Sequence, residues 1–121
     1  MTDSPDAIAP DGSEIRYLVL DASRASLVVV TLQPGGVSRP VRHRTVEEIW
    51  YFLAGAGRVW LDGEVRDVHP GSTVVIPTGR AFQFECSGEE PLRFLCYTAP
   101  PWPGDEEAEP VQTGGLGPAT C

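Results

Sequence analysis

Few side chains in this sequence can do acid–base, metal or nucleophilic chemistry. It has two histidines, His43 and His69, and three cysteines, Cys86, Cys96 and Cys121. No two cysteines stand in a CxxC-type spacing, and no triad partner marks Cys86 as a nucleophile. We therefore expect reduced thiols that pack as small apolar groups, with a Cys86–Cys96 disulfide as the alternative.

Arginines are the other chemically distinctive residues, and four of them lie close together in sequence or beside a predicted turn: Arg39, Arg42, Arg44 and Arg80. A guanidinium group binds a carboxylate or a phosphate through a bidentate fork, so these residues can attract an anionic ligand. The alternative is that they form ion pairs with local acids such as Glu47 or Asp67.

The charge of the chain limits its partners. Its 121 residues include nine basic and seventeen acidic ones, for a net charge of −8, and every base is Arg. Residues 1–16 contribute −3 and residues 101–121 contribute −4, so residues 17–100 carry only −1. Without a basic face, nucleic-acid binding and docking on an anionic membrane are not expected.

Hydropathy and targeting signals predict a cytoplasmic protein. No stretch approaches the roughly 20 apolar residues that a membrane helix needs. The N-terminus has neither the basic region nor the apolar region of a secretory signal, and cysteines without a disulfide pattern fit a reducing compartment.

Short apolar runs between Gly- and Pro-containing turns predict a β protein. The strands are expected at 14–20, 26–33, 39–43, 48–54, 57–62, 64–68, 72–77, 81–86 and 92–98. Asp62-Gly63 predicts a two-residue hairpin, and no window has a helical period. Short strands at regular spacing in one domain indicate a closed sandwich or barrel.

Three segments are expected from composition. Residues 1–13 form an N-terminal arm, residues 14–99 form the barrel, and residues 100–121 form an acidic, Pro- and Gly-rich C-terminal strap. We expect this strap to be extended or disordered, with Trp102 holding its first part against the barrel.

Two segments, residues 35–57 and 71–86, resemble the two conserved motifs of the cupin superfamily. The first motif is matched by Gly35 or Gly36, by His43 at the second position of the family's His-x-His, and then by Glu48 and Gly55. The second motif is matched by Gly71, Pro77 and Gly79. The resemblance implies an all-β fold, a double-stranded β-helix or jelly-roll cupin barrel, whose interior holds a metal or a ligand.

The sequence departs from the family's metal site. A typical cupin binds Fe, Mn, Ni, Zn or Cu with three His and one Glu, but Val41 and Phe82 occupy the first and third His positions. His43 and Glu48 are fewer than the three protein ligands of a catalytic zinc site. His69 is expected in a turn at a barrel end. We expect no cofactor, with one divalent transition metal on His43 and Glu48 as the alternative.

Strand alternation predicts what else faces the interior. If His43 points inward, Arg39 and Val41 share its side, because successive side chains of a strand point to opposite faces. The same rule adds the neighbours of Glu48 and Phe82. The predicted ligand-binding residues are Arg39, Val41, Trp50, Phe52, Phe82 and Phe84. A mostly apolar pocket with a few polar groups is typical of a small-molecule site.

The predicted function is that of a small-molecule-binding cupin. In this hypothesis His43 and Glu48 act as acid and base, without a metal, on a carbonyl- or enol-containing substrate in an isomerase, cyclase or dehydratase type of reaction. Two alternatives stay open: a metal-dependent oxygenase, isomerase or decarboxylase with a reduced ligand set, and a non-catalytic ligand-binding or sensing barrel. The resemblance also implies a homodimer formed through strands and sheet edges.

Overall fold

The computed structural model describes residues 4–121 and consists of short strands. The strands are β1 (Ala7–Ile8), β2 (Glu14–Val19), β3 (Ser26–Leu32), β4 (Val41–His43), β5 (Glu47–Ala54), β6 (Gly57–Leu61), β7 (Glu64–Val68), β8 (Thr73–Ile76), β9 (Phe82–Cys86), β10 (Leu92–Ala99) and β11 (Ala108–Pro110). A three-residue 3-10 turn, Asp105–Glu107, precedes β11. Within residues 4–121, no helix is long and apolar enough to cross a bilayer.

Two antiparallel sheets form the barrel. One has six strands in the order β1-β2-β3-β10-β5-β8, and the other has five in the order β11-β4-β9-β6-β7. Their inner faces share one apolar core, in which Trp50 and Phe94 of the first sheet contact Phe84 of the second. The predicted all-β, double-stranded β-helix is confirmed.

Alternation along the strands determines which residues reach this core. In β5 the buried residues are Glu48, Trp50 and Phe52, whereas Ile49 and Tyr51 between them are exposed. Side chains with a period of two meet the core on one face only, which is why this strand could be predicted from its sequence.

The nine predicted strands are all present, with small differences at their ends. β4 begins at Val41 rather than at residue 39, and β1 and β11 were not predicted. The hairpin at Asp62-Gly63 is confirmed: both residues have positive φ, 49° and 97°, as a two-residue turn between twisted strands requires. The three cysteines are free, so the Cys86–Cys96 disulfide is not formed.

The C-terminal segment 100–121 is fastened to the barrel by a buried carboxylate. Glu107 is 5% exposed and accepts hydrogen bonds from the backbone N–H groups of Thr45 and Val46 and from the Thr45 hydroxyl. Burial works to raise the pKa of Glu107, but these hydrogen bonds and the nearby His43 outweigh it and lower the pKa. Strand β11, which follows directly, pairs with β4.

Glu107→Gln is expected to lower the free energy of unfolding at neutral pH by about 2 kcal/mol, because an ionised acceptor for three donors is lost. A lowered pKa in the folded state means that ionised Glu107 stabilises the fold above its unfolded pKa, and that this contribution is lost as the pH falls through the folded pKa. The difference between the two proteins should therefore shrink as the pH falls below the ordinary value of 4.5. Urea denaturation at neutral and acidic pH measures it.

The matched control is Glu109→Gln in the same segment. The Glu109 carboxylate lies 3.6 Å from Arg44 in a surface ion pair, so this change should alter stability by less than about 0.5 kcal/mol. Equal losses in the two variants, or a Glu107→Gln effect that persists at acidic pH, would contradict the anchoring role of Glu107.

Candidate active site

A cavity of about 130 Å³ opens inside the barrel. Strands β4, β5 and β10 supply one group of its walls: Val41, His43, Glu48, Trp50, Phe94, Cys96 and Thr98. The N-terminal arm and the C-terminal segment supply another: Ala9, Pro10, Asp11, Ser13, Trp102 and Asp105. The site is therefore built from the barrel and from both chain ends.

His43 and Glu48, the predicted acid–base pair, come together in this cavity. The His43 Nδ1 atom lies 4.0 Å from Glu48 Oε2, and both side chains are buried. The Trp50 indole N–H donates to Glu48 Oε1 at 2.9 Å, and the Thr98 hydroxyl donates to Oε2 at 3.1 Å. These donors satisfy both oxygens of a carboxylate that would otherwise be costly to bury.

The imidazole of His43 is held by packing rather than by a hydrogen bond to Nδ1. His43 Nδ1 is buried and has no hydrogen-bond partner within the described chain, residues 4–121. Its ring makes edge contacts with Phe82 and Trp102, whose centroids lie 5.0 and 5.3 Å away. Aromatic packing thus holds the ring, while one ring nitrogen keeps its hydrogen-bonding capacity for another group.

Strand pairing explains how residues distant in sequence meet here. Glu48 on β5 is directly opposite Thr98 on β10, so a donor faces the carboxylate across the ladder. On the other sheet, Val41 of β4 is opposite Phe82 of β9. All four positions that correspond to the family's metal ligands therefore surround one region of the barrel.

These residues do not fit a metal ion. Val41 and Phe82 are buried and offer no lone pair, and only His43 and Glu48 of the four positions can ligate. Over residues 4–121, no group of three His, Cys, Asp or Glu side chains is placed to hold a metal. A tight mononuclear site needs at least three protein ligands, so no step through a metal is assigned to this cavity.

The aromatic side chains are only partly where the sequence predicts them. Val41 and Trp50 line the cavity, but Phe52, Phe82 and Phe84 do not. These three rings face inward, as alternation requires, yet they pack into a solid cluster around Trp50. The predicted pocket lining is wrong for them because parity decides the face of a sheet, not whether neighbouring side chains fill the space.

The predicted inward position of Arg39 is also wrong. Arg39 precedes β4, is exposed, and donates through Nε to the Cys121 carbonyl oxygen at 2.7 Å. Arg44 pairs with Glu109 and Arg80 with Asp62, both at the surface. None of the four arginines near the motifs lines the cavity. Ion pairing with local acids describes Arg44 and Arg80, although the partners are not the expected Glu47 and Asp67.

Sequence reasoning missed Asp11, which reaches the cavity from the N-terminal arm. Ser13 donates to Asp11 Oδ1 through its backbone N–H at 2.9 Å and through its hydroxyl at 2.6 Å. Burial raises the pKa of Asp11 despite these bonds. The charge of nearby Glu48 also raises this pKa, and that of His43 lowers it. The feature of the sequence that could have drawn attention to Asp11 is Asp-Gly-Ser, which is typical of an Asx turn.

Cys96 and Trp102 also line the cavity. Burial, followed by the charge of Glu48, raises the pKa of the Cys96 thiol well above its ordinary value, so it remains a thiol at neutral pH. Trp102 holds the C-terminal segment as expected: its backbone N–H donates to Ser26 Oγ at 3.2 Å and its ring covers His43.

Comparison with known proteins decides the family. A family model described as a cupin domain matches residues 28–98, more than half of the chain. This chain belongs to the cupin superfamily. An uncharacterized protein of Methanocaldococcus jannaschii is 35% identical to this cupin over 99 residues, which are 78% of this chain and 79% of that protein.

Other cupin relatives are longer or more distant. Mannose-1-phosphate guanylyltransferases of three enterobacteria are 27–32% identical over 66–74% of this chain, and the match spans only 17–19% of their length. The polyketide cyclase RemF of Streptomyces resistomycificus has a TM-score of 0.71, with 24% identity over 94% of this chain and 79% of that one. Pac13, a Streptomyces nucleoside dehydratase, has a TM-score of 0.70, with 15% identity over 84% and 79%. At these identities the similarity shows the fold alone.

The metal-ligand interpretation predicts a gain of function. The double variant Val41→His with Phe82→His adds the two missing imidazoles beside His43 and Glu48, and it is expected to retain one equivalent of Zn²⁺ through gel filtration. The wild-type cupin is expected to retain far less. Elemental analysis of both proteins, purified without chelator, measures the difference.

The control is Val41→Leu with Phe82→Leu, which changes the same two positions without adding ligands. If this control retained metal like the histidine variant, the added imidazoles would not be the cause. Stoichiometric metal in the wild-type protein that disappears in His43→Ala would contradict the conclusion that the native residues do not form a metal site.

Proposed function

We propose that this cupin binds a small organic molecule in its cavity and transfers protons with His43 and Glu48, without a metal, in an isomerase, cyclase or dehydratase type of reaction. We also propose the cytoplasm as its location, which its three free cysteines support.

The observation that carries the proposal is the buried Nδ1 atom of His43, which has no hydrogen-bond partner in the described part of the chain and lies 4.0 Å from a Glu48 oxygen on the wall of a cavity. Buried polar atoms without partners are rare in folded proteins, and a catalytic role is one of the reasons for which they are retained. A ligand with an N–H, O–H or carbonyl group next to the pair would complete its hydrogen bonding.

Proton transfer by this pair follows from its surroundings. Trp50 and Thr98 hold the Glu48 carboxylate in place, and Phe82 and Trp102 hold the imidazole, so neither group has to reorganise when a ligand binds. One member of the pair takes a proton from the ligand while the other returns one. A site in which a proton leaves one ligand atom and reaches another performs isomerisation, cyclisation or dehydration.

The two alternative functions have less support. A metal-dependent reaction needs ligands that Val41 and Phe82 do not provide. A non-catalytic barrel would need no proton-accepting pair in the cavity. That RemF is a cyclase and Pac13 a dehydratase is consistent with the proposed reaction types.

Hydrogen exchange tests the proposal without knowledge of the natural substrate. The probes are small ketones in deuterated water, beginning with cyclohexanone and phenylacetone, and NMR follows both their binding and the loss of their α-hydrogens. The wild-type protein is expected to accelerate exchange of a ketone that binds. Glu48→Gln should bind the same ketone and lose at least about a hundredfold in exchange rate.

Glu47→Gln is the matched control, because Glu47 is the neighbouring residue on the exposed face of β5. It should exchange like wild type. Ketones that bind equally to wild type and Glu48→Gln and exchange at the same rate in both would leave a binding barrel and overturn the catalytic assignment.

We further propose that the protein is a homodimer, as the family resemblance implies, in which a second copy of the chain covers the outer face of the six-stranded sheet. Exposed apolar side chains cover this face on three neighbouring strands: Ile49, Tyr51, Leu53, Val75 and Tyr97. Ile49 stands directly opposite both Val75 and Tyr97, so the apolar surface is continuous across the ladder. Continuous apolar surface of this kind marks an interface.

Charge on this face should therefore separate the copies. Tyr51→Arg is expected to sediment as a monomer at concentrations where the wild type sediments as a dimer, because a buried arginine without a partner is costly. Val65→Arg is the control: Val65 and Tyr51 are both 45% exposed, but Val65 lies on β7 of the other sheet. A monomeric wild type, or equal effects of both changes, would refute this interface.

A further inference from the structure

Apart from the titratable imidazole of His43, the charged residues of the cavity have one sign. Asp11, Glu48 and Asp105 line it, and none of the described residues in its wall is an arginine; the sequence has no lysine. The arginines next to cavity residues in sequence point elsewhere: Arg16 lies 3.7 Å from Asp6, Arg42 is exposed on β4, and Arg44 pairs with Glu109. Arg39 is exposed and donates to the carbonyl oxygens of Cys121 at 2.7 Å and Pro10 at 3.3 Å. An anionic ligand would meet carboxylates here and no balancing cation.

The hydrogen-bond donors next to the buried carboxylates are already used. Ser13 donates to Asp11, and Trp50 and Thr98 donate to Glu48. His43 is 4% exposed and lines this cavity, and its Nδ1 atom is buried without a hydrogen-bond partner among residues 4–121, so in the neutral ring with hydrogen on Nε2 it is a further acceptor. A ligand that supplies donors suits these acceptors better than one that supplies lone pairs.

The apolar part of the cavity favours the same chemistry. Its walls include the aromatic rings of Trp50, Phe94 and Trp102. The face of an aromatic ring carries partial negative charge and attracts a cation, most strongly when the ring is Trp. Ile8, Tyr17 and Leu20 are exposed and also line the cavity, so its outer part is apolar.

We propose that the cavity binds a ligand with an apolar or aromatic body and a protonated amine, and that the Asp11 carboxylate holds the ammonium group. This inference rests on the proposed function in that it assigns a substrate class to the same cavity. His43 and Glu48 remain free for the reacting part of the ligand. Asp11 is in this scheme a binding residue, and an ammonium group would offset the cost of burying its charge.

The size of the cavity suggests the probes. At about 130 Å³ it is close to the roughly 150 Å³ of an engineered cavity that binds benzene. Benzylamine, benzyl alcohol and benzoate share one ring and differ in charge, being a cation, a neutral molecule and an anion at about pH 7. Together they separate the affinity for the ring from the affinity for the charge.

Calorimetry with the intact chain provides the test. Benzylammonium is expected to bind at least about tenfold more tightly than benzoate, with benzyl alcohol between them. Asp11→Asn should remove about tenfold of the benzylammonium affinity and leave that for benzyl alcohol within about twofold. Asp67→Asn, an exposed residue of β7, makes the same change in net charge and should alter neither.

Three results would overturn the inference: benzoate binding as tightly as benzylammonium, an unchanged preference in Asp11→Asn, or no benzylammonium binding at millimolar concentration. The comparison of the three probes in the wild-type protein decides the matter even if Asp11→Asn does not fold. Benzyl alcohol binding without a preference for the amine would refute the amine class alone, and ketone exchange that depends on Glu48 would still support the proposed function.

Discussion

The burial of Glu48 is the constraint on which the rest of this structure depends. A carboxylate on the inner face of a sheet is tolerated only if its oxygens are paired, and Trp50 and Thr98 supply both donors. The bond from the indole fixes the orientation of Trp50, which stacks on Phe94 at 4.3 Å between ring centroids. The remaining phenylalanines pack around these two rings. One polar requirement thus determines where the core is solid and where it leaves a cavity.

The features that could be predicted from the sequence are those that local alternation or a turn motif encodes. Because burial alternates along β5, the strand itself and the inward direction of Glu48 and Trp50 can be predicted from the sequence. The hairpin can be predicted because Asp62-Gly63 adopts positive φ easily. Arg39 could not be placed in this way, because β4 begins two residues later and alternation does not extend to a loop. Phe82 and Phe84 were assigned to the correct face, but the volume they fill depends on rings from three other strands.

The chain ends were the least predictable part of the site. Composition described residues 1–13 as an arm and residues 100–121 as a strap, yet Asp11 and Trp102 complete the cavity. Their positions depend on contacts over long sequence separations, such as Glu107 with Thr45 and Val46 in the C-terminal segment and the Arg39 N–H with the Asp11 carbonyl in the arm. No local periodicity encodes such contacts. An Asx turn at Asp11 was visible in the sequence, but the surface against which it packs was not.

The division of the cavity between barrel and chain ends has an evolutionary consequence. The barrel walls carry the proposed acid–base pair and the core packing, so most substitutions there put the stability of the fold at risk. The walls made by residues 7–11 and 102–105 contribute no side chain to that buried core. Under the proposed function, the ligand preference of this cupin can therefore change through substitutions in two peripheral segments, while His43, Glu48 and their supporting strands stay constant.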